Sequence, residues 1–143
     1  MFLYYSPIEA FCNPQASRIH LALGVMDGLH PGHLSVLHSA LRAASQDSGQ
    51  AWLLRFWPPP AWVLGAVAPS LQRQLLPQAL MQQQLATLGL AGLIQQPFTP
   101  TFAQRQASTL LPWLQAHIPG LASLHVGENF RYGQGRQGHA TLL

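Results

Sequence analysis

At 143 residues and 48% hydrophobic content the chain supports one domain with a sizeable core, which excludes an intrinsically disordered polar chain. The formal net charge of +3 comes from seven basic residues, all arginine and scattered along the chain, against Glu9, Asp27, Asp47 and Glu128. That distribution argues against a nucleic-acid surface. A single Cys12 excludes an intrachain disulfide, and neither a signal-type leader nor a membrane-length apolar run is present. The expectation is a soluble cytoplasmic domain that does not engage a membrane.

In chain order, Met1 to Ser17 is apolar and aromatic without a period and is expected to be irregular. Arg18 to Val25 reads as the first strand. Gly32 to about Ser45 reads as a helix, with Leu34, Leu37, His38 and Leu41 at helical spacing on one side. Gly49-Gln50 stops it, and Ala51 to Trp57 is a second buried strand ended by Pro58-Pro59-Pro60. Ala61 to Ser70 is expected as loop. A helix then runs to about Leu88, entered or kinked at Pro77 and ended by Gly89. Gly92 to Gln96 is a third strand and Pro97 to Pro100 a turn. Ala103 to His117 follows as a helix, which tolerates Pro112 only in its first turn. Leu121 to Gly127 is the fourth strand. Strands alternating with helices predict an α/β fold, a parallel sheet with helices on both faces.

The stretch with the most chemistry is Leu21-Ala-Leu-Gly-Val-Met-Asp-Gly-Leu-His-Pro-Gly-His33. It predicts a buried strand breaking into a helix, with Pro31 in the first helical turn, where its missing N–H costs nothing. Backbone N–H groups at such a helix end suit a phosphate, and glycines let it approach the backbone. His30 and His33, three residues apart, can share a face and donate to phosphoryl oxygens. Zinc at Asp27, His30 and His33 is disfavoured, because no further ligand cluster is evident. Gly133-x-Gly135-x-x-Gly138 formally fits a dinucleotide fingerprint but lacks the strand before it and the helix after it.

Gly24-x-x-Asp27-Gly28-x-His30-x-Gly32-His33 resembles the G-x-F-D-G-x-H-x-G-H motif of bacterial FAD synthetases, in the HxGH nucleotidyltransferase superfamily. Val126-Gly127-Glu128-Asn129-Phe130-Arg131-Tyr132-Gly133, with Arg136 and Gly138 following, is similar to that family's V-G-x-[DN]-F-x-F-G-x-x-R-x-G segment. The two motifs in order are far more specific than either alone. The resemblance implies a Rossmann-like fold over residues 1–143, an FMN adenylyltransferase-like nucleotidyltransferase domain. On this reading the domain is expected to lack the family's C-terminal S-S-T-x-[IV]-R segment and a riboflavin kinase domain. It implies transfer of AMP from ATP to FMN, giving FAD and pyrophosphate, with Mg²⁺. His30 and His33 would be the catalytic pair; Gly24, Met26, Asp27, Gly28 and Gly32 would take the nucleotide. Phe56, Pro58, Asn129 and Arg131 would line the flavin, with Arg136 a further candidate phosphate partner. No resident metal is implied beyond the Mg²⁺ that accompanies ATP, and the partners are the small molecules ATP and FMN.

Departures from the pattern are also legible. Val25-Met26 stands where the family carries an amide and an aromatic. Pro59 replaces a histidine in Arg55-Phe56-Trp57-Pro58-Pro59-Pro60, the counterpart of T-F-x-P-H-P, and Met81 is the nearest counterpart of a lysine. They define the alternative reading, a degenerate member that binds flavin or ATP without turnover. A third reading, an HxGH transferase for another phosphorylated acceptor, is opposed by the second motif.

Overall fold

The computed structural model describes residues 2–12, 17–26, 29, 31–65, 68, 77–105, 107–127, 131–132 and 138–139. Each apolar run expected as a strand is one: β2 (Ile19–Gly24), β3 (Gln50–Trp57), β4 (Gly92–Pro97) and β5 (Leu121–His125). The lead-in expected to be irregular instead holds β1 (Leu3–Tyr5) and a single 3-10 turn at Ile8–Ala10. Leu3-Tyr4-Tyr5 is too short to show a period, and its strand form comes from pairing with β4, Leu3 opposite Gly92 and Tyr5 opposite Ile94. Among the described residues these five strands form one parallel sheet in the order β1-β4-β3-β2-β5. The chain steps outward from β2 through β3 to β4, then returns to the opposite side of β2 with β5.

Side chains alternate across the sheet, and each face is covered. On one face Ile19, Leu21, Leu23, Trp52, Leu54, Phe56 and Ile94 pack with Ile8 and with Leu110, Leu114 and Ile118. On the other, Ala22, Ala51, Leu53 and Leu93 pack with helices α1 (Pro31–Asp47) and α3 (Gln78–Leu88) through Leu37, Ala40, Ala44, Met81 and Leu85. The buried stripe of α1 is therefore Leu37, Ala40 and Ala44, and His38, expected beside Leu37, is exposed. Two small alanines let α1 lie close to the sheet, which turns His38 outward.

The helices differ from expectation where proline intervenes. The stretch expected as loop opens with a short helix, α2 (Pro60–Val63), entered from Pro59 with proline in its first turn. Pro77 precedes α3, and Gly89, in the left-handed region at φ 105°, ends it. The single helix expected from Ala103 to His117 is divided into α4 (Pro100–Ala103), a 3-10 turn at Ala107–Thr109 and α5 (Leu110–His117). A continuous helix would set the Pro112 ring against the carbonyl four residues earlier. Starting at Leu110 places Pro112 in the first turn, as its sequence requires. Thr99 caps α4, its hydroxyl accepting from the Phe102 N–H at 3.0 Å. Beyond β5, β6 (Arg131–Tyr132) and β7 (Gly138–His139) pair antiparallel.

Candidate active site

The strand order reverses at β2, and in open parallel sheets ligands bind outside the carboxyl ends of the strands at such a reversal. Two connections leave that end side by side: the β2–α1 turn and the segment that follows β5. Ala22 lies opposite His125 in the ladder, so the two sequence motifs emerge from neighbouring strands. Gly127 of the second motif approaches α1, since a Cβ there would stand 3.9 Å from Val36.

Gly24 is the buried last residue of β2. Met26 follows at φ 46° with its side chain 3% exposed in the core beneath α1. Gly32 and His33 are the second and third residues of α1, Gly32 exposed and His33 half-buried. This puts the His33 ring on the helix turn whose backbone N–H groups lack intrahelical partners. The expectations for Asp27, Gly28, His30, Asn129 and Arg136 lie outside the described residues. Arg131 is placed in β6, opposite His139.

On the β3–β4 side, Phe56 is 4% exposed and packs its ring against Phe98 and Phe102, with centroids 6.3 and 5.5 Å away. Pro58 is exposed at the strand end, and Pro59 behind it is buried. Met81 is wholly buried in the core under α3. A cavity of about 560 Å³ opens at the end of β4, lined among others by Glu9, Gln96, Thr101, Phe102, Gln104 and Arg105.

Two polar groupings, one at this end and one reaching to the far end of α1, were not singled out from sequence. Arg55 on β3 is 0% exposed, yet its guanidinium is anchored. Nε and Nη2 both donate to Gln95 Oε1, at 3.1 and 2.9 Å, and Nη1 donates to the Met26 carbonyl at 3.4 Å. The second grouping ties α1 to β2 and β5. Asp47, at the end of α1, accepts from Arg18 Nε at 2.6 Å and lies 2.9 Å from His20 Nε2. His20 Nδ1 is 2.6 Å from Ser123 Oγ, which is 2.7 Å from His125 Nε2, and His125 Nδ1 is 2.8 Å from Ser39 Oγ.

A carboxylate only accepts, so His20 Nε2–H donates to Asp47. Burial first, with the nearby His20 charge second, pushes His125 below its ordinary 6.5. The Arg18 hydrogen bond leads the causes holding Asp47 below 3.8. The signal in the sequence was a polar residue inside an otherwise apolar strand run: His20, Arg55, Ser123 and His125 all interrupt one.

A parallel, Rossmann-like α/β domain with a glycine- and histidine-bearing turn at its strand-order reversal is the class this fold and site define. A family model described as FAD synthetase matches residues 12–143. The chain therefore belongs to the FAD synthetase family. Among curated relatives, the FAD synthetase of Listeria monocytogenes is 30% identical over 86% of this chain and 49% of its own. A putative bifunctional riboflavin kinase/FMN adenylyltransferase of Geobacillus thermodenitrificans is 29% identical over 86% of this chain and 65% of its own. The chain thus spans about half to two thirds of the length of these two relatives. The solved structure of a macrolide-efflux protein from Streptococcus pneumoniae superimposes with a TM-score of 0.74, covering 93% of this chain and 44% of that one. At 23% identity this likeness concerns the fold alone.

Proposed function

We propose that this domain is an FMN adenylyltransferase, joining AMP from ATP to FMN to give FAD and pyrophosphate. The observation that carries the proposal is the emergence of both family motifs from adjacent strands, β2 and β5, at the ligand end of the sheet. Family membership and the names of the relatives supply the substrates. A phosphate oxygen of FMN attacks the α-phosphorus of ATP, a P–O bond forms there, and the bond to the β-phosphate oxygen breaks as pyrophosphate leaves. No side chain need act as nucleophile, so positioning and charge stabilisation carry the rate.

His33, on the first turn of α1, would donate to the triphosphate as charge builds on the leaving group, with His30 beside it in sequence. The α1 N-terminus adds its partial positive charge. Gly28 and Gly32 would let the phosphates approach the backbone, while Gly24, covered by the Met26 side chain, would help shape the turn with Met26 and Asp27. The flavin would be placed by Asn129 and Arg131 of the second motif and by the β3–β4 end with Phe56 and Pro58. The cavity at the end of β4, with amide and aromatic lining, suits a planar heterocycle.

Mg²⁺ would enter with the triphosphate and supply charge neutralisation. Asp47 is engaged by Arg18 and His20 at the far end of α1; the motif carboxylate Asp27 would help hold such a cation, in keeping with Mg²⁺ taking few protein ligands beside phosphates. The setting we infer is cytoplasmic, with small-molecule partners; among the described residues no helix is long and apolar enough to cross a membrane.

The test is chromatographic: ATP, Mg²⁺ and FMN with purified protein should yield FAD. His33→Ala should lower the rate by about 10²–10³-fold, the scale for losing a donor to transition-state charge. FAD formation at an undiminished rate in that variant would remove the assignment of His33.

A further inference from the structure

The row Gly24–Arg55–Gln95 crosses three neighbouring strands at the ligand end of the sheet, Gly24 paired with Arg55 and Arg55 with Gln95. A guanidinium does not shed its proton in a protein. Burying Arg55 to 0% exposure therefore commits a permanent positive charge to the place where β2 breaks into its turn. Removing such a group from water is costly unless its donors are met. Here the geometry of its partners is directional. Gln95 holds one side of the fork through Nε and Nη2, and the Trp57 ring lies 4.4 Å beneath Cζ. Thus fixed, the guanidinium presents Nη1 to the Met26 carbonyl at 3.4 Å.

Met26 is the residue that needs holding. Its φ of 46° lies in the left-handed region, disfavoured for a side chain with a Cβ by about 1–2 kcal/mol. Its side chain folds back over Gly24, with Cε and Cγ 3.5 and 3.7 Å from where a Gly24 Cβ would be. The next residues of the chain are Asp27 and Gly28 of the first motif, and α1 begins five residues on.

We propose that Arg55 is a positioning residue for the nucleotide: tethered by Gln95, it fixes the backbone of Met26, from which the first motif runs on toward the ATP phosphates. The proposal deepens the adenylyltransferase reading and rests on it. Arg55 reaches across from β3 to the Met26 carbonyl that leads into the first motif, so the nucleotide should feel its loss more than the flavin.

Gln95→Leu is the sharper variant, because it leaves the guanidinium in place and removes its two hydrogen bonds to Gln95; Arg55→Lys keeps the charge and loses the fork. Calorimetric titrations with Mg·ATP and, separately, with FMN are paired with a thermal melt of each protein. For Gln95→Leu the ATP dissociation constant should rise about tenfold, the scale of one lost charge-assisted hydrogen bond. FMN binding should stay unchanged. Arg55→Lys should fall between that variant and wild type. A melting temperature that drops without separating ATP from FMN would reduce Arg55 to a structural role and overturn the proposal. So would unchanged ATP binding in folded Gln95→Leu while the wild type binds ATP. A wild type that binds no ATP would overturn the adenylyltransferase reading and this inference with it.

Discussion

The same strands build the two faces of the sheet by opposite means. Toward α5 they present Leu21, Leu23, Trp52, Leu54, Phe56 and Ile94, a dry face extended by an aromatic cluster of Tyr5, Phe11 and Trp52. Toward α1 and α3 the alternating positions include, beside Leu53 and Leu93, small and polar residues: His20, Ala22, Gly24, Ala51 and Arg55, with Gln95, Ser123 and His125 on the flanking strands. Gln96 departs from this division, and its amide oxygen is used by the Ile8 N–H at 3.0 Å. A parallel sheet has no solvated face to carry polar chemistry. Polar groups must instead be buried and mutually satisfied, and this chain gathers most of them on the face covered by α1, the helix that carries the end of the first motif. The α5 face carries stability, and the α1 face holds the two motifs in register.

The largest expected effect is on the dry face. Trp52 is 2% exposed, stacked on Tyr5 and edge-on to Phe11. Trp52→Ala should cost about 3–5 kcal/mol of unfolding free energy by denaturant titration. Adenylyl transfer per folded molecule should persist. Loss of activity in the folded variant would break the division between the faces.

A smaller effect is expected on the other face. Ser123→Ala leaves His20 Nδ1 and His125 Nε2 without their shared partner and should cost about 1–3 kcal/mol in the same titration. A neutral result would mean the chain from Asp47 to Ser39 is not coupled to folding.

The smallest is a pH effect. Because burial holds His125 below 6.5, the unfolded chain takes up that proton before the folded one does. The corresponding stability is complete above pH 6.5 and lost as pH falls through the folded value. Asp47, held below 3.8 by Arg18 first, adds a second loss only as pH falls below 3.8. His125→Val should flatten the first window and leave the second, read from melting temperature against pH. An unchanged upper window would exclude His125 as its source.

The strands of the sheet interior were legible because burial on both faces makes them continuous apolar runs, as in Leu21 to Val25 and Ala51 to Trp57. β1 was not, since three residues at an edge take their form from a partner ninety positions on. For the helix expected from Ala103, the need to keep Pro112 in a first turn was legible, but that the chain meets it by starting α5 at Leu110 was not. At the site, the two motifs announced themselves by composition and order, but their adjacency needed the return of β5 beside β2. Arg55 and His20 looked like interruptions in a strand; that they fall on one face, each with partners from distant strands or α1, is information of register and packing.

The central claim is that this domain couples ATP cleavage to FAD formation. The most direct measurement follows pyrophosphate and FAD together in one reaction with FMN, ATP and Mg²⁺. The account predicts that the two appear in equal amounts and that both require FMN. Pyrophosphate released without FAD, or neither product from protein that is folded, would contradict it.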